Sequence, residues 1–325
     1  MKKKVVLITG IAGFIGFSLA KKLLLKKVEV VGIDSFNNYY DIKIKYKRIL
    51  ELKKINKKII IIKDNLQNYK KLNIKLKKYK ILKLFHLAAQ AGVRHSIKNP
   101  RDYVDSNLIA FSNILELARH QKIKHLVFAS SSSVYGNKNH TFLSEEKSNA
   151  DFPIQFYGAT KRANEIMAYS YSHLYNIPIS ICRLFTVYGP WGRPDMALYI
   201  FVKNIISGKK INLFNRGNHQ RSFSYIDDVV NGLILVGNKI PKKKLFEIYN
   251  ISSGKYIYLK QYLKAIEKEL GLKAQITLSK LQDGDVKSSI ADISKIKKIG
   301  FRSKTPLNIG IKKFVLWYKN YHKIK

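Results

Sequence analysis

The first apolar run of the chain, KVVLIT (4–9), is broken at once by three glycines in seven residues, GIAGFIG (10–16). A strand-length run that ends on glycines and continues with helical spacing has to turn sharply at the strand's carboxyl end. It leaves backbone N–H groups and a helix N-terminus facing whatever lies beyond the strand. Apolar runs of the same length recur at VEVVGID (28–34), KIIIIK (58–63), ILKLFHLA (81–88), KHLVFAS (124–130) and IPISICRL (177–184). Helical spacing fills the intervals, over 14–26, 41–54, 97–120 and 159–175. Strands this apolar, alternating with helices, predict a parallel sheet covered on both faces, the doubly wound α/β class.

Beyond about residue 185 the pattern changes to GPWGRPDM and then to shorter strands and helices rich in turn residues. The expected organisation is a nucleotide-binding domain over 1–185 and a smaller α/β substrate-binding lobe over 186–325. The segment 222–238 reads as a strand and helix able to return to the first domain. With 325 residues, 46% of them hydrophobic, the chain is long enough for a substantial core. No run approaches the ~20 apolar residues of a membrane-spanning helix, and the apolar stretch near the N-terminus goes straight into the glycine turn, so a cytoplasmic location is expected. The single cysteine, Cys182, sits in an apolar strand and fits a reducing compartment. Eight histidines show no metal-ligand spacing, and no metal site is expected.

A formal charge of +40 would ordinarily point to nucleic acid or an anionic surface. Here 51 of the 61 basic residues are Lys and only 10 are Arg, scattered through helices and turns among abundant Ile and Asn. Groove readers favour Arg, with aromatics where bases stack. The excess reads as a compositional bias, with weak, salt-sensitive attraction to polyanions and no specific nucleic-acid partner.

Two motifs carry chemistry. In the glycine turn, Gly10 permits the bend, Gly13 admits a pyrophosphate to the backbone and Gly16 lets the helix pack close. Asp34 ends the second strand about 20 residues on, where a carboxylate binds a ribose 2′-hydroxyl and repels a 2′-phosphate; NAD is therefore favoured over NADP. Asp64, ending the third strand, is a candidate adenine contact. In the second motif, QFYGATKRANE, Tyr157 and Lys161 share a helix face at i, i+4. Ionising a phenol near neutrality needs a shift of about 3 pKa units, or roughly 4 kcal/mol. A lysine ammonium and an oxidised nicotinamide both push that way. Four serines, Ser130 to Ser133, end the preceding parallel strand about 25 residues earlier.

The glycine turn, the serine run and YGATK together resemble the extended short-chain dehydrogenase/reductase superfamily, over essentially the whole chain. FNNYYD (36–41), HLAAQAGVRHS (86–96), FTVYGPWGRPDMA (185–197), QRSFSYIDD (220–228) and QDGDV (282–286) narrow the resemblance to its UDP-glucuronate 4-epimerase family. That resemblance implies a Rossmann domain, NAD retained through the cycle, a UDP-sugar substrate and a homodimer built on the two long helices. It implies a catalytic set of Ser131, Tyr157 and Lys161, and cofactor contacts at Gly10, Gly13, Phe14, Ile15, Gly16, Asp34, Asp64, Leu87, Ala88, Ala89 and Asn107, with Tyr157 and Lys161. Substrate contacts fall at Thr186 and Arg193 near the sugar and at Arg221 on the diphosphate, with Arg94 and Asp285 in matching motifs.

The implied reaction inverts C4 of UDP-glucuronate through a 4-keto sugar, with Tyr157 as base, Ser131 on the reacting oxygen and NAD holding the hydride. A 4-keto uronic acid is a β-keto acid, which loses carbon dioxide when its carboxylate bond stands perpendicular to the carbonyl plane. Ser132, Ser133 and Thr186 are candidates to restrain that carboxylate, and Arg193 to oppose its charge. Related dehydratases and decarboxylases carry an acidic residue just after the catalytic hydroxyl; SSSVYG has none. A decarboxylase or a UDP-glucose 4-epimerase is the enzymatic alternative, and an NAD-sensing regulatory protein the non-enzymatic one. Ser130 has no chemical assignment beyond ending its strand.

Overall fold

In the computed structural model, which describes residues 2–138, 142–282 and 284–324, the glycine-broken run is an interior strand of a seven-stranded parallel sheet. This strand, β1 (Lys3–Thr9), lies between β2 (Val30–Asp34) and β4 (Tyr79–His86). β3 (Ile60–Lys63) closes one edge, and β5 (Leu126–Ser131) leads to Ile179–Leu184 and Phe246–Ile251 at the other. Every pairing in the sheet is parallel. Because β1 pairs outward to β2 on one side and to β4 on the other, the chain reverses its winding between β1 and β4. The crevice that opens at their carboxyl ends is where ligands bind in such sheets.

Both faces are covered, as strands without a polar alternation require. One apolar cluster gathers Leu7, Val31, Phe128 and Ile181 beneath Phe111 and Ile114 of the helix Ala110–His120. The other joins Ile8, Val127 and Cys182 to α1 (Phe14–Leu25) and runs on into the second lobe through Leu198, Tyr262 and Phe314. Cys182 is fully buried, and burial pushes its thiol well above the ordinary range.

A continuous helix over 97–120 does not form. The chain makes Val93–Lys98, then Pro100–Tyr103, a wider π-helical turn Val104–Ile109, and only then Ala110–His120. Pro100 is the cause: it forces Asn99 out of helical geometry, at φ −132° and ψ 65°.

The chain crosses residue 185 in both directions. The helix Ile226–Asn238 lies on the sheet, where a Cβ on Gly237 would come 2.5 Å from the Phe85 ring and the Gly237 carbonyl meets His125 Nδ1 at 3.2 Å. Phe246–Ile251 then completes the sheet beside Ile179–Leu184. In the opposite direction, Phe142–Leu143 from the first half pairs with Ser288–Ala291 in a small four-stranded sheet that also holds Gln220–Arg221 and Ile257–Tyr258. The two halves are interleaved. Arg48 pins them: fully buried on the helix α2 (Ile42–Ile55), it donates to the carbonyls of Ala12 (2.8 Å) and Trp191 (2.6 Å) and to the Tyr40 hydroxyl (2.9 Å).

Candidate active site

The crevice between the halves holds a cavity of about 900 Å³ reaching from the glycine turn to Arg221 and Asp285. At its cofactor end the glycines are sterically required. Gly10 has φ +72°, and a Cβ there would meet the Ala88 nitrogen at 2.8 Å; one on Gly16 would come 2.0 Å from the Gly10 carbonyl oxygen. Gly13 precedes α1 without a side-chain cap, so the first helical N–H groups, at Phe14, Ile15 and Gly16, face the cavity mouth. Asp34 receives the N–H groups of Ala12 (3.0 Å) and Phe36 (2.8 Å), one on each oxygen. That fixes the carboxylate at the cavity wall with a second lone pair on each oxygen to offer.

The opposite wall is the end of β4. The Thr9 hydroxyl accepts from Leu87 N–H (3.2 Å) and Ala88 N–H (3.3 Å), holding Leu87, Ala88 and Ala89 along the cavity. A cradle bounded by close-packed glycines, a helix N-terminus and an oriented carboxylate fits a dinucleotide.

Two expected contacts differ in detail. Asp64 lines the cavity, but its carboxylate is taken by Lys75 and Lys71, which outweigh burial and hold it below the usual carboxylate range. Any adenine contact there shares the group with both lysines. Asn107 does not line the cavity. Its amide is spent on the Gln90 backbone, accepting at 2.8 Å and donating at 3.2 Å, and on the Thr160 hydroxyl at 3.0 Å. It braces the wall from behind, on the π-helical turn.

The reacting centre forms where β5 meets the helix Phe156–Tyr175. The buried stripe of that helix is polar: Lys161 lines the cavity, while Thr160 and Asn164 bond Asn107 behind the wall and Glu165 bonds Ser130 and Arg183. Tyr157 and Ser131 both line the cavity here, close enough for Ser131 to act on the phenol. Burial raises the Tyr157 phenol above its ordinary value, against Ser131 and Arg193, which lower it. Lys161 was expected to supply that lowering; instead its Nζ is turned to the Ala129 carbonyl (2.9 Å) and lies 4.7 Å from the centre of the Phe128 ring. Burial brings Lys161 down to about 7, with Glu165 pulling the other way.

The four serines separate by position. Ser130 is buried and donates to Glu165 Oε1 at 2.6 Å. Glu165 in turn binds buried Arg183 through both oxygens, at 2.9 and 2.7 Å. Ser130 thus couples the strand to the catalytic helix. Ser131 bonds Ser133 through the two hydroxyls (3.2 Å), and Ser131, Ser132 and Ser133 all line the cavity.

Across the cavity stand Thr186 and Arg193. Arg193 is already engaged: its Nε and Nη2 meet the two oxygens of Asp195 at 2.9 and 2.5 Å, and Tyr39 donates to the same carboxylate at 3.1 Å. Burial opposes the guanidinium charge, but Asp195 more than offsets it. Burial and Asp195 together push Tyr39 up to about 12. Further along, Arg221 gives donors to the carbonyls of Gln220, Lys287 and Val286 and stands 3.8 Å from Asp285. Arg94 lies 5.2 Å over the Phe214 ring at the same end. Asp283 of QDGDV lies outside the described residues.

Sequence reasoning missed Tyr39 and Asp195, although each sits inside a quoted motif, and Lys45, a buried ammonium bonded to the Asn37 carbonyl (2.7 Å) beside Asp34. It also missed Glu165, four residues after Lys161 on the same helix face. Among the described residues no group of His, Cys, Asp and Glu is placed to hold a metal ion, and no helix is long and apolar enough to cross a membrane.

Comparison with known proteins agrees with this geometry. The NAD dependent epimerase/dehydratase family matches residues 6–252. The chain is 42% identical to Protein CapI of Staphylococcus aureus over 98% of its length and 99% of that protein's. It is 39% identical to a UDP-glucuronate 4-epimerase of Thermodesulfobacterium geofontis, covering 96% of this chain and 95% of the other. Among solved structures it superposes with a TM-score of 0.90 on a UDP-glucuronic acid 4-epimerase from Bacillus cereus in complex with UDP-glucuronic acid and NAD, at 32% identity over 98% and 99% of the two chains.

Proposed function

The chain belongs to the NAD dependent epimerase/dehydratase family, and from that premise we propose that it inverts C4 of a UDP-hexuronic acid, interconverting UDP-glucuronate and UDP-galacturonate. The observation that carries this reading is one cavity in which Ser131 and Tyr157 meet Ser132, Ser133, Thr186 and Arg193, with the glycine cradle at one end and Arg221 at the other. NAD, when bound, takes up the C4 hydride and returns it to the opposite face of the sugar. Gly10, Gly13, Phe14, Ile15, Gly16, Asp34 and the Leu87–Ala89 wall hold it.

Tyr157 removes the proton from the 4-hydroxyl and gives it back. Ser131 supports the phenolate by hydrogen bonding, and Arg193 adds a positive charge; both already lower the Tyr157 pKa against burial. Lys161, brought down to about 7 by burial, stands at the end of the strand, where it binds the cofactor. Ser132, Ser133 and Thr186 restrain the carboxylate of the 4-keto sugar so that its bond to the ring stays out of the alignment for decarboxylation. Arg193 takes that carboxylate in exchange for, or together with, Asp195. Arg221, with Arg94 and Asp285, serves the diphosphate end. The protein acts as a homodimer through the helices near 97–120 and 156–175, where Ile109, Ile166 and Tyr169 are exposed.

Purified protein incubated with UDP-glucuronate and followed by proton NMR tests the reading. UDP-galacturonate accumulating to a steady ratio without UDP-pentose is the expected result. UDP-xylose or a UDP-4-keto-pentose would move the assignment to decarboxylation, and turnover of UDP-glucose alone to a neutral-sugar epimerase. Tyr157→Phe is expected to bind the nucleotide sugar and to lose turnover by about 10²- to 10⁴-fold.

A further inference from the structure

At the diphosphate end of the cavity a buried imidazole stands without a hydrogen bond. His219, immediately before the strand Gln220–Arg221, is 4% exposed and lines the cavity, and neither of its ring nitrogens makes a hydrogen bond of good geometry, although the Phe214 backbone lies near enough to act on the ring. Its Nε2 is 3.8 Å from Asp285 Oδ2, beyond hydrogen-bond length. Its backbone is held, because its carbonyl accepts from Leu259 N–H at 2.9 Å. On the adjoining strand, Ser288 is also buried and cavity-lining, and its hydroxyl lacks a partner too. The pairing of Gln220 with Ser288 puts these two groups in one wall. Buried polar groups left unsatisfied are costly, and two in one wall imply something that satisfies them.

Charge and donor supply say what that is. Arg221 and Arg94 face the spot against one carboxylate, Asp285, so the wall is built for an anion. Arg221 cannot serve a diphosphate alone. A guanidinium has five N–H donors, and the contacts of Arg221 with the carbonyls of Gln220, Lys287 and Val286 use three of them. We propose that His219 is a diphosphate ligand of the nucleotide sugar, binding as the imidazolium with Ser288 as a second donor, so that substrate binding takes up a proton. This rests on the nucleotide-sugar reading above and adds a ligand and a pH dependence to it.

The groups around the ring set the sign. In the free protein burial, Arg221 on its own strand and Arg94 on the helix Val93–Lys98 lower the imidazole pKa, while Asp285 and the Phe214 backbone raise it. Lys260, on the helix Leu259–Leu270, is turned to the neighbouring Asn218 at 3.3 Å. The balance keeps the ring neutral when the cavity holds no anion. A diphosphate beside it favours the charged form, so affinity rises as pH falls through the raised value of the complex and levels off below that of the free protein. The phosphates of UDP-glucuronate do not themselves titrate near neutrality, which makes the sugar nucleotide a clean probe.

The test is isothermal titration calorimetry of UDP-glucuronate in the Tyr157→Phe background, between about pH 6 and about pH 8, in buffers of differing ionisation enthalpy. Expected are net proton uptake and affinity greater by about tenfold at the lower pH, the worth of one charge-assisted bond. Adding His219→Phe should abolish the uptake and weaken binding at the lower pH by the same factor. His219→Gln, which keeps a neutral donor, should bind with no pH dependence. Uptake and affinity unchanged in His219→Phe would overturn the assignment while leaving the nucleotide-sugar reading intact. Failure of the Tyr157→Phe parent to bind UDP-glucuronate would bring down both.

Discussion

Lys161 is held where its charge is least comfortable: buried, against one carbonyl and an aromatic face, and lowered from 10.5 to about 7. Between about 7 and 10.5 the unfolded chain binds a proton at this position that the folded chain does not. The destabilisation from burying the charge is therefore complete below about pH 7 and fades as pH rises toward 10.5. Lys161→Met should be inactive yet more stable than the parent near pH 6 by on the order of a few kcal/mol. The gap between their urea midpoints should shrink as pH is raised toward 10; a constant gap would place the cost elsewhere. The hydroxyl clamp makes a different demand. Ser133→Ala and Thr186→Ala should each keep epimerase activity while raising the fraction of UDP-pentose or free 4-keto sugar severalfold, read by NMR of the product mixture. An unchanged product partition would remove these hydroxyls from carboxylate restraint.

Between elements, one buried ion pair joins three pieces of the active crevice. Glu165 on the catalytic helix binds Ser130 at the end of β5 and Arg183 on the strand Ile179–Leu184. Glu165→Gln leaves Arg183 buried and charged without its carboxylate, a loss expected to cost about 3–5 kcal/mol, measurable as a fall in the denaturation midpoint. Of the four serines in the cavity wall, the first is thus tied into the scaffold as well.

The six strands legible in the sequence are the six whose apolar runs are continuous, which a sheet covered on both faces demands. The seventh, FEIYNI, escaped notice because it is an edge strand with an alternating pattern, and its Glu247 pairs with Lys295 outside the sheet. The glycine cradle, Asp34 and the Tyr157–Lys161 pair could be placed because their geometry is local. Glu165 and His219 could not, nor could the tie of Asp195 to Tyr39, because what matters about each is a partner, or the lack of one, that spacing in the sequence does not show. The place of Asn107 was not legible either, because its amide is taken by Gln90 and Thr160, which lie far from it in sequence.

At the scale of the whole molecule, the +40 charge and the exposed apolar residues on two helices act separately. The first predicts only salt-sensitive adhesion to polyanions. The second predicts a dimer: light scattering should give twice the 37.5 kDa chain mass, and Ile166→Glu with Tyr169→Glu should shift it to the monomer. A parent that scatters as a monomer would reject the interface. The interleaved sheet bears on something else, the order in which the protein can be made. Synthesis runs from the N-terminus, and the cofactor-binding sheet lacks its last strand until Phe246–Ile251 has emerged. Until then Ile179–Leu184 is a bare, apolar edge, able to pair with any similar edge on a neighbouring nascent chain. A chain that ends before Phe246 therefore presents that edge as a template for mispairing.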